Sequence, residues 1–430
     1  MRRACASIDE LRVAVLREKA TATGAGTGSV TTVYPRWVRV NTIRTTLEKQ
    51  LKGTFASYEW VSSLSELSHG DTQKRLFIDP YIPDLLAVPP GVEFTTCPAY
   101  KNGELILQDK ASCIPAFLLA GKWECEGDLV DGCAAPGNKT THLAALATTK
   151  SNGKIGNILS MDASPTRSKT LQKMVAAAGT GDIVTVIPGQ DFLSIDPDTD
   201  ARFKNATGLL LDPSCSGSGI IGRDDVPQLI LPSIPNQKQK QKQGQGKKRK
   251  RDTDTSQSSP AATTNTDEND IPNTTVSKER LTKLSNIQAR IVEHAFSFPS
   301  AVRVTYSTCS IHVIENEAVV ERVLRSDVAR RRGWRVLRRG EQAVGLRGWK
   351  HRGVKCDLTS NGSKGKDEGM KVGLSGEELE GCLRCWPGDE EGVGGFFVVG
   401  FIRDGDGQDG QDGDGDDDDA VSDEWEGFSD

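Results

Sequence analysis

The chain has 430 residues, with 54 Lys and Arg against 59 Asp and Glu, and ten scattered cysteines. That is about two or three domains' worth of sequence, and 36% hydrophobic content with a mean hydropathy of −0.43 suggests an ordinary core diluted by disordered segments. The cysteine spacing excludes a small disulfide scaffold, the N-terminus carries no secretory signal, and no apolar run approaches the ~20 residues of a membrane span, so a soluble protein of a reducing compartment, without a membrane partner, is expected.

Charge is segregated along the chain. Residues 404 to 430 hold thirteen acidic side chains and no Lys or Arg, so the remainder carries 54 basic residues against the other 46 acidic ones, a net +8. A mildly basic body with an acidic tail fits a nucleic-acid binder that limits its own non-specific contacts; it fits equally an ordinary surface with a solubilising tail.

In chain order, residues 1 to 30 read as a short helix (9 to 22) and a Gly-rich linker. Trp37-Val-Arg-Val-Asn-Thr-Ile is strand-like, with Arg36, Arg39 and Arg44 close by, and 45 to 95 carry one helix and further short elements. Residues 31 to 100 thus read as a small α/β module of RNA-binding type, whose basic strand either faces RNA or presents one solvated face. From 101 to 403 strands and helices alternate. Leu105-Ile-Leu, Asp128-Leu-Val, Lys154 to Met161, Ile183 to Ile187 and Leu209 to Leu211 are strand-like, with helices through Ala116 to Leu119, from Thr140 to Thr148 and over 165 to 178. Such alternation gives βαβ units and a parallel sheet, so the expected fold class is α/β and Rossmann-like.

Residues 233 to 277 break this pattern. Gln-Lys repeats run into Lys247-Lys-Arg-Lys-Arg251 and then a Ser/Thr/Asn/Asp-rich stretch, which reads as a disordered insertion. Its basic cluster resembles a nuclear localisation signal or an RNA-contacting patch. Beyond it Leu281, Leu284, Ile287, Ile291 and Ala295 mark one helix face, Ala301 to Tyr306 a strand, Asn316 to Leu324 the start of a helix, and Phe396 to Ile402 a last strand. Residues 325 to 395 are weakly patterned, and 404 to 430 read as a disordered acidic tail. The Asp-Gly runs of that tail lack the ligand register of a calcium loop, and Cys382-Leu-Arg-Cys385 has no second pair to complete a zinc site, so no metal is expected.

Val130-Asp-Gly-Cys-Ala-Ala-Pro-Gly-Asn-Lys-Thr-Thr141 is the first strand-to-helix turn of the alternating region. A glycine turn lets backbone approach a ligand, and the helix N-terminus offers free N–H groups. Asn138 separates Gly137 from Lys139, which puts the lysine out of register for a nucleotide-binding P-loop, and the Gly-x-Gly-x-x-Gly of a dinucleotide site is absent. A nucleoside-type ligand without a pyrophosphate remains. Asp162, at the next strand end, would hold its ribose hydroxyls, and Asp191, one strand further, its base. Together these positions suggest S-adenosylmethionine; the alternative is a Gly-Pro turn with surface aspartates.

Two cysteines follow strand-like runs and open polar turns: Cys215 in Leu211-Asp-Pro-Ser-Cys-Ser-Gly-Ser-Gly219 and Cys309 in Tyr306-Ser-Thr-Cys-Ser310. Strand ends of an open α/β sheet are where such folds place their chemistry, and two thiols at one sheet edge suggest covalent catalysis. Two buried structural cysteines are the alternative. Residues alone do not say which thiol would be the nucleophile.

With Leu107-Gln-Asp-Lys-Ala-Ser-Cys113, Asp131 to His142, and Glu315-Asn-Glu317, these segments resemble the Sun-domain RNA (cytosine-5) methyltransferases in order and spacing from about 36 to 402, and most of all their large-subunit rRNA branch. The wider family has Pro before its first cysteine, whereas Ser214 stands here, as in that branch. The stretch ahead of Pro35-Arg-Trp-Val-Arg-Val-Asn-Thr is shorter than in such relatives. The resemblance implies that Cys133, Ala134, Ala135, Pro136, Gly137, Asn138, Lys139, Asp162, Arg167 and Asp212 bind or border S-adenosylmethionine, and that Cys309 is the nucleophile. Cytosine C5 is too weak a nucleophile unaided; a thiolate on C6 activates it. Asp212 is then the candidate for the N3/N4 edge of the base, and Cys215 for releasing the adduct. The helix near Glu315 is expected to lower the Cys309 pKa if it points at the sulfur, with Glu315 and Glu317 opposing. The expected partner is RNA, large-subunit rRNA or a pre-ribosome, with the base out of its stack. Residence in the nucleus, in the nucleolus, and a monomeric state go with that reading. A catalytically weak ribosome-assembly scaffold and a small-molecule or protein methyltransferase are the competing classes.

Overall fold

The computed structural model describes residues 34–68, 74–122, 127–150, 156–220, 277–356 and 371–403. The N-terminal helix and linker, the acidic tail and the insertion, apart from Ser277, lie outside the described residues.

Two sheets organise the chain. The first contains β1 (Arg36–Val40), β2 (Glu59–Trp60), β3 (Arg75–Ile78), β4 (Leu85–Val88) and β5 (Leu105–Leu107), in the order β2-β3-β4-β1-β5, with helices α1 (Leu47–Lys52) and α2 (Pro98–Lys101). β5 was expected to open the parallel sheet. It instead pairs antiparallel with β1, Val38 opposite Leu107, because three apolar residues complete whichever sheet edge is adjacent and nothing local selects one. β1 is covered on both faces. Val38 and Val40 pack with Phe55, Leu76, Leu86 and Val88, while Trp37 points to the helix that follows β5. Arg39 is on the Trp37 side and buried; it donates to Gln108 Oε1 at 2.7 Å and Thr141 Oγ1 at 3.0 Å. Arg44 donates to the carbonyls of Ala177 (2.9 Å) and Ala176 (3.3 Å). Neither expectation for the basic strand covers Arg39, which is buried on Gln108 and Thr141; Arg44, beyond β1, is exposed with its head on the Ala176 and Ala177 carbonyls.

The second sheet begins after α3 (Lys110–Ala120). Its elements are β6 (Asp128–Asp131), α4 (Asn138–Lys150), β7 (Ile158–Asp162), α5 (Pro165–Ala178), β8 (Val184–Pro188), β9 (Ala206–Leu211), α6 (Lys278–Phe296), β10 (Arg303–Thr308), α7 (Glu317–Leu324), α8 (Asp327–Arg331), β11 (Trp334–Val336), α9 (Val344–Arg347), α10 (Gly376–Gly381), β12 (Leu383–Cys385) and β13 (Phe396–Arg403). The strand order is β11-β13-β10-β9-β6-β7-β8, with β12 also on β13. β10, β9, β6, β7 and β8 run parallel, and β13 returns antiparallel beside β10. Strand order reverses between β6 and β9, so a crevice opens at their carboxyl ends. The strand read as Lys154 to Met161 spans Ile158–Asp162, with 154 and 155 outside the described residues, and the one read as Ala301 to Tyr306 continues to Thr308.

α5 has the signals of its type: Ser164 caps its N-terminus, Pro165 takes the first turn, and Gly179 closes it with φ 72°. The Arg44 head sits on the carbonyls of that last turn, where the helix dipole favours a cation. Between the two sheets Lys110 is a buried peg. Its Nζ lies 2.6 Å from both Asp79 and Glu391 and within 5.2 Å of the ring centres of Trp37, Tyr81 and Trp349.

Candidate active site at the strand ends

The ends of β6, β9 and β10 bring the motif residues together. Asp212 follows β9 directly, and Lys139 stands in the first turn of α4. Lys139 Nζ is 2.8 Å from Asp212 Oδ2 and donates to Ser112 Oγ at 3.0 Å; the Phe396 ring centre is 5.4 Å away. Ser307, on β10 and buried, donates to Asp212 Oδ1 at 2.7 Å. Each carboxylate oxygen thus has its own fixed partner, yet the Asp212 side chain stays 27% exposed. Burial works to lower the Lys139 pKa; Asp212, then Asp131, outweigh it, and the shift is upward.

Cys215 and Cys309 are both half-buried free thiols, with Sγ atoms 3.0 Å apart. One proton between two sulfurs pushes their pKa values in opposite directions. Cys309 is lowered, first by the hydrogen bond from Cys215 and further by Lys139, against burial and Asp212. Cys215 is raised, first by the hydrogen bond to Cys309 and then by burial. The expectation of a helix N-terminus acting on Cys309 gives way to this pair. α7 begins only at Glu317, and both glutamates are occupied elsewhere: Glu317 binds the buried Arg384 and Glu315 the Ser216 N–H.

Backbone contacts lock the two cysteine turns together. The Gly219 N–H donates to Cys309 O at 3.0 Å, and the Gly395 N–H to Gly219 O at 2.8 Å. A Cβ on Gly219 would lie 2.0 Å from Gly395 O, so the approach requires glycine. Ser216 and Ser218 bind Ser310 Oγ at 3.1 and 3.2 Å.

Beside this cluster lies the 132–137 loop. Ala134 N–H donates to Met161 O at 2.8 Å, tying the loop to β7. Gly137 has φ +114°, and a Cβ there would sit 3.0 Å from Met174 Cβ. Arg167 joins Asp162 at 3.2 Å and Ala135 O at 2.6 Å, and the Ser164 N–H binds Asp162 Oδ1 at 3.0 Å. Burial pushes the Cys133 thiol up, and Asp131, Asp212 and Asp162 add to it. Asp191 is exposed and caps the turn 192–194 through the Leu193 N–H at 3.0 Å. Asp131, within the motif 130–141, carries no sequence signal of its role. It is fully buried and bound to Thr140 at 2.7 Å, with Oδ1 unpartnered; burial lifts its pKa to about 7, against the Thr140 bond and Lys139. Asn138 Oδ1 is likewise buried without a partner. Ser112 and Ser307 also join the site; both lie in the segments that carry the resemblance, where nothing in the sequence sets them apart. Among the described residues no three His, Cys, Asp or Glu gather as a metal site would require.

A parallel sheet with this crossover, a glycine-turn loop at its switch point and acidic residues at successive strand ends is the Rossmann-like fold of S-adenosylmethionine-dependent methyltransferases. The solved structures agree: a methyltransferase homologue from Pyrococcus horikoshii superposes with a TM-score of 0.55 at 17% identity, over 92% of this chain and 91% of that one. Residues 34–108 match the ferredoxin-like domain of NOL1/NOP2/Sun domain family member 5, and 119–243 match the 16S rRNA methyltransferase RsmB/F family. The 25S rRNA (cytosine-C(5))-methyltransferase rcm1 of Schizosaccharomyces pombe is 35% identical over 85% of this chain and 62% of its own length. The 26S rRNA (cytosine-C(5))-methyltransferase nsun-5 of Caenorhabditis elegans is 31% identical over 86% of this chain and 67% of its own. The chain belongs to the Sun-domain RNA (cytosine-5) methyltransferase family, in the branch named for large-subunit rRNA. It spans less than two thirds of the length of the S. pombe relative.

Proposed function

We propose that this protein transfers a methyl group from S-adenosylmethionine to C5 of a cytosine in large-subunit rRNA, through a covalent bond between Cys309 Sγ and C6 of the base. The observation that carries the reading is the pair of thiols 3.0 Å apart, flanked by the Lys139–Asp212 ion pair. Oxygen and nitrogen acceptors need no covalent adduct, so a small-molecule or protein methyltransferase would have no use for such a pair. The named activities of the relatives, and their match over most of this chain, support the same substrate class.

The cofactor fits the residues at the loop. Asp131 Oδ1 and Asn138 Oδ1 are buried acceptors without partners, and the ammonium and hydroxyl groups of S-adenosylmethionine are donors. Residues 133–139, Asp162 and Arg167 would hold it, and Asp191 would border its base. Once bound, it supplies an electrophilic methyl group. All else is done by the chain. Cys309, kept toward its thiolate by the Cys215 hydrogen bond and by Lys139, adds to C6. Asp212, its two oxygens fixed by Ser307 and Lys139, meets the N3/N4 edge, where the pyrimidine gains electron density and where cytosine differs from uracil. Lys139 offsets the charge that builds up there. Adduct formation consumes the Cys309 thiolate that held the Cys215 proton, and that proton leaves to water. At release the C5–H bond breaks and its electrons restore the C5–C6 double bond. The C6–S bond breaks with its pair on Cys309, and the C5 proton passes to the Cys215 thiolate, directly or across a water. The base has to leave its stack to reach this crevice, so single-stranded or remodelled rRNA in the nucleolus is the substrate.

The test is methyl transfer from labelled S-adenosylmethionine to unmodified large-subunit rRNA, followed by nucleoside analysis. Wild type makes 5-methylcytidine, Cys309→Ala makes none, and Cys215→Ala accumulates a covalent protein–RNA complex. RNA binding without methylation by wild type would instead favour an assembly scaffold.

A further inference from the structure

Cys215 lies between two peptide groups held by one buried pair of side chains. Gln288, on α6 and without exposed surface, donates from Nε2 to Ser214 O and to Glu315 Oε1, each at 3.0 Å. The same Glu315 oxygen accepts the Ser216 N–H at 2.9 Å, and Tyr306 OH donates to the Glu315 carbonyl at 2.5 Å. The residues before and after Cys215 are therefore tied to one amide–carboxylate pair. Cys309 is held differently, by the end of β10 and by its own carbonyl on the Gly219 N–H.

This pair is costly. Glu315 Oε2 and Gln288 Oε1 are both buried and unpartnered, and apolar residues of the same size would fill the space without that penalty. What apolar residues could not do is hold one carbonyl and one N–H in fixed register on either side of a single thiol. The adduct once formed on Cys309 has to be met by Cys215 from one direction. A sulfur displaced by an ångström would miss the C5 proton, whereas C6 addition, which Lys139 also supports, would lose only the Cys215 hydrogen bond to Cys309.

We propose that Gln288, acting with Glu315, is a positioning residue for Cys215, setting the rate at which the Cys309–RNA bond is released more than the rate at which it forms. The inference rests on the reading of Cys215 as the release residue, and the experiment separates the two. Gln288→Met keeps the volume and removes both hydrogen bonds; Gln288→Asn keeps an amide too short to reach both partners. With the full chain, unmodified large-subunit rRNA and S-adenosylmethionine, adduct and methylated product are followed in single-turnover time courses on denaturing gels, with Cys215→Ala alongside and thermal melting of each variant. The expected result is release slowed about 10- to 100-fold in both Gln288 variants, with adduct formation slowed far less. Wild-type release in the Gln288 variants overturns the proposal, as does an equal loss of formation and release. If Cys215→Ala fails to accumulate adduct, the reading of Cys215 itself falls and the clamp's role with it.

Discussion

Two lysines of this molecule sit against carboxylates, and they have opposite uses. Lys110, at the seam between the sheets, is 1% exposed and meets two carboxylates at 2.6 Å inside three aromatic rings. Lys139, at the strand ends, meets one carboxylate and one serine hydroxyl, with a single ring to one side and 13% of its side chain exposed. The first ammonium is saturated and can only hold the sheets together. The second has unspent charge facing a crevice, with a thiol within its field. Saturation of the partner set, more than burial or residue type, separates a structural ion cluster from a chemical one.

The sharpest way to break that contrast is at the thiols. Cys309→Ala should reduce methyl transfer by about 10⁴-fold or more, with the melting temperature barely moved, read by labelled-methyl incorporation and calorimetry. Lys110→Met should do the reverse. It strands Asp79 and Glu391 in the interior and costs about 3–5 kcal/mol, roughly a 10 °C fall in melting temperature. Whatever remains folded should turn over normally. Lys139→Met should lower turnover about 100-fold at a smaller cost in stability, and unequal effects of these two lysine variants on melting are what the comparison stands on.

The pH dependence of Cys309 sharpens it further. Only the thiolate reacts, so alkylation by iodoacetamide rises with pH as the thiol ionises. The Cys215 hydrogen bond and then Lys139 hold this pKa down, while burial and Asp212 oppose them. Removing Lys139 should therefore move the profile to higher pH, and Asp212→Asn should move it to lower pH. Shifts of equal sign would sink the electrostatic account. The smallest effect is expected at Arg44. Its loss should cost about 1 kcal/mol through the uncapped carbonyls of α5 and leave RNA affinity, measured by filter binding, unchanged.

Much of the parallel sheet was legible in advance, because strands covered on both faces are short apolar runs and the helices between them have ordinary caps. Cys215 and Cys309 stood out for the same reason: each follows such a run and begins a polar turn. Partners that come from far along the chain were not legible. Leu105–Leu107 looks like any short strand, and its place beside β1 depends on a segment nearly seventy residues earlier. Residues 325 to 395 contain β11 and β12, three residues each, which exist because β13 offers them an edge. Arg39 and Arg44 looked like a basic face because sequence displays charge but not what lies opposite it. Gln288 gave no signal at all; a glutamine in the middle of an amphipathic helix is unremarkable until the carbonyl and carboxylate it binds are known.

The close approach of Gly219 and Gly395 bears on how this protein can change over generations. A side chain at Gly219 runs into the Gly395 backbone, and one at Gly395 meets Ile311 at 2.4 Å and the Gly219 Cα at 2.8 Å. Neither position can be relieved by altering the other, since each obstruction includes main chain. Random mutagenesis should therefore return no functional substitutions at either site, singly or paired. Laboratory evolution toward new RNA targets has to work around this fixed point, from the surface inward.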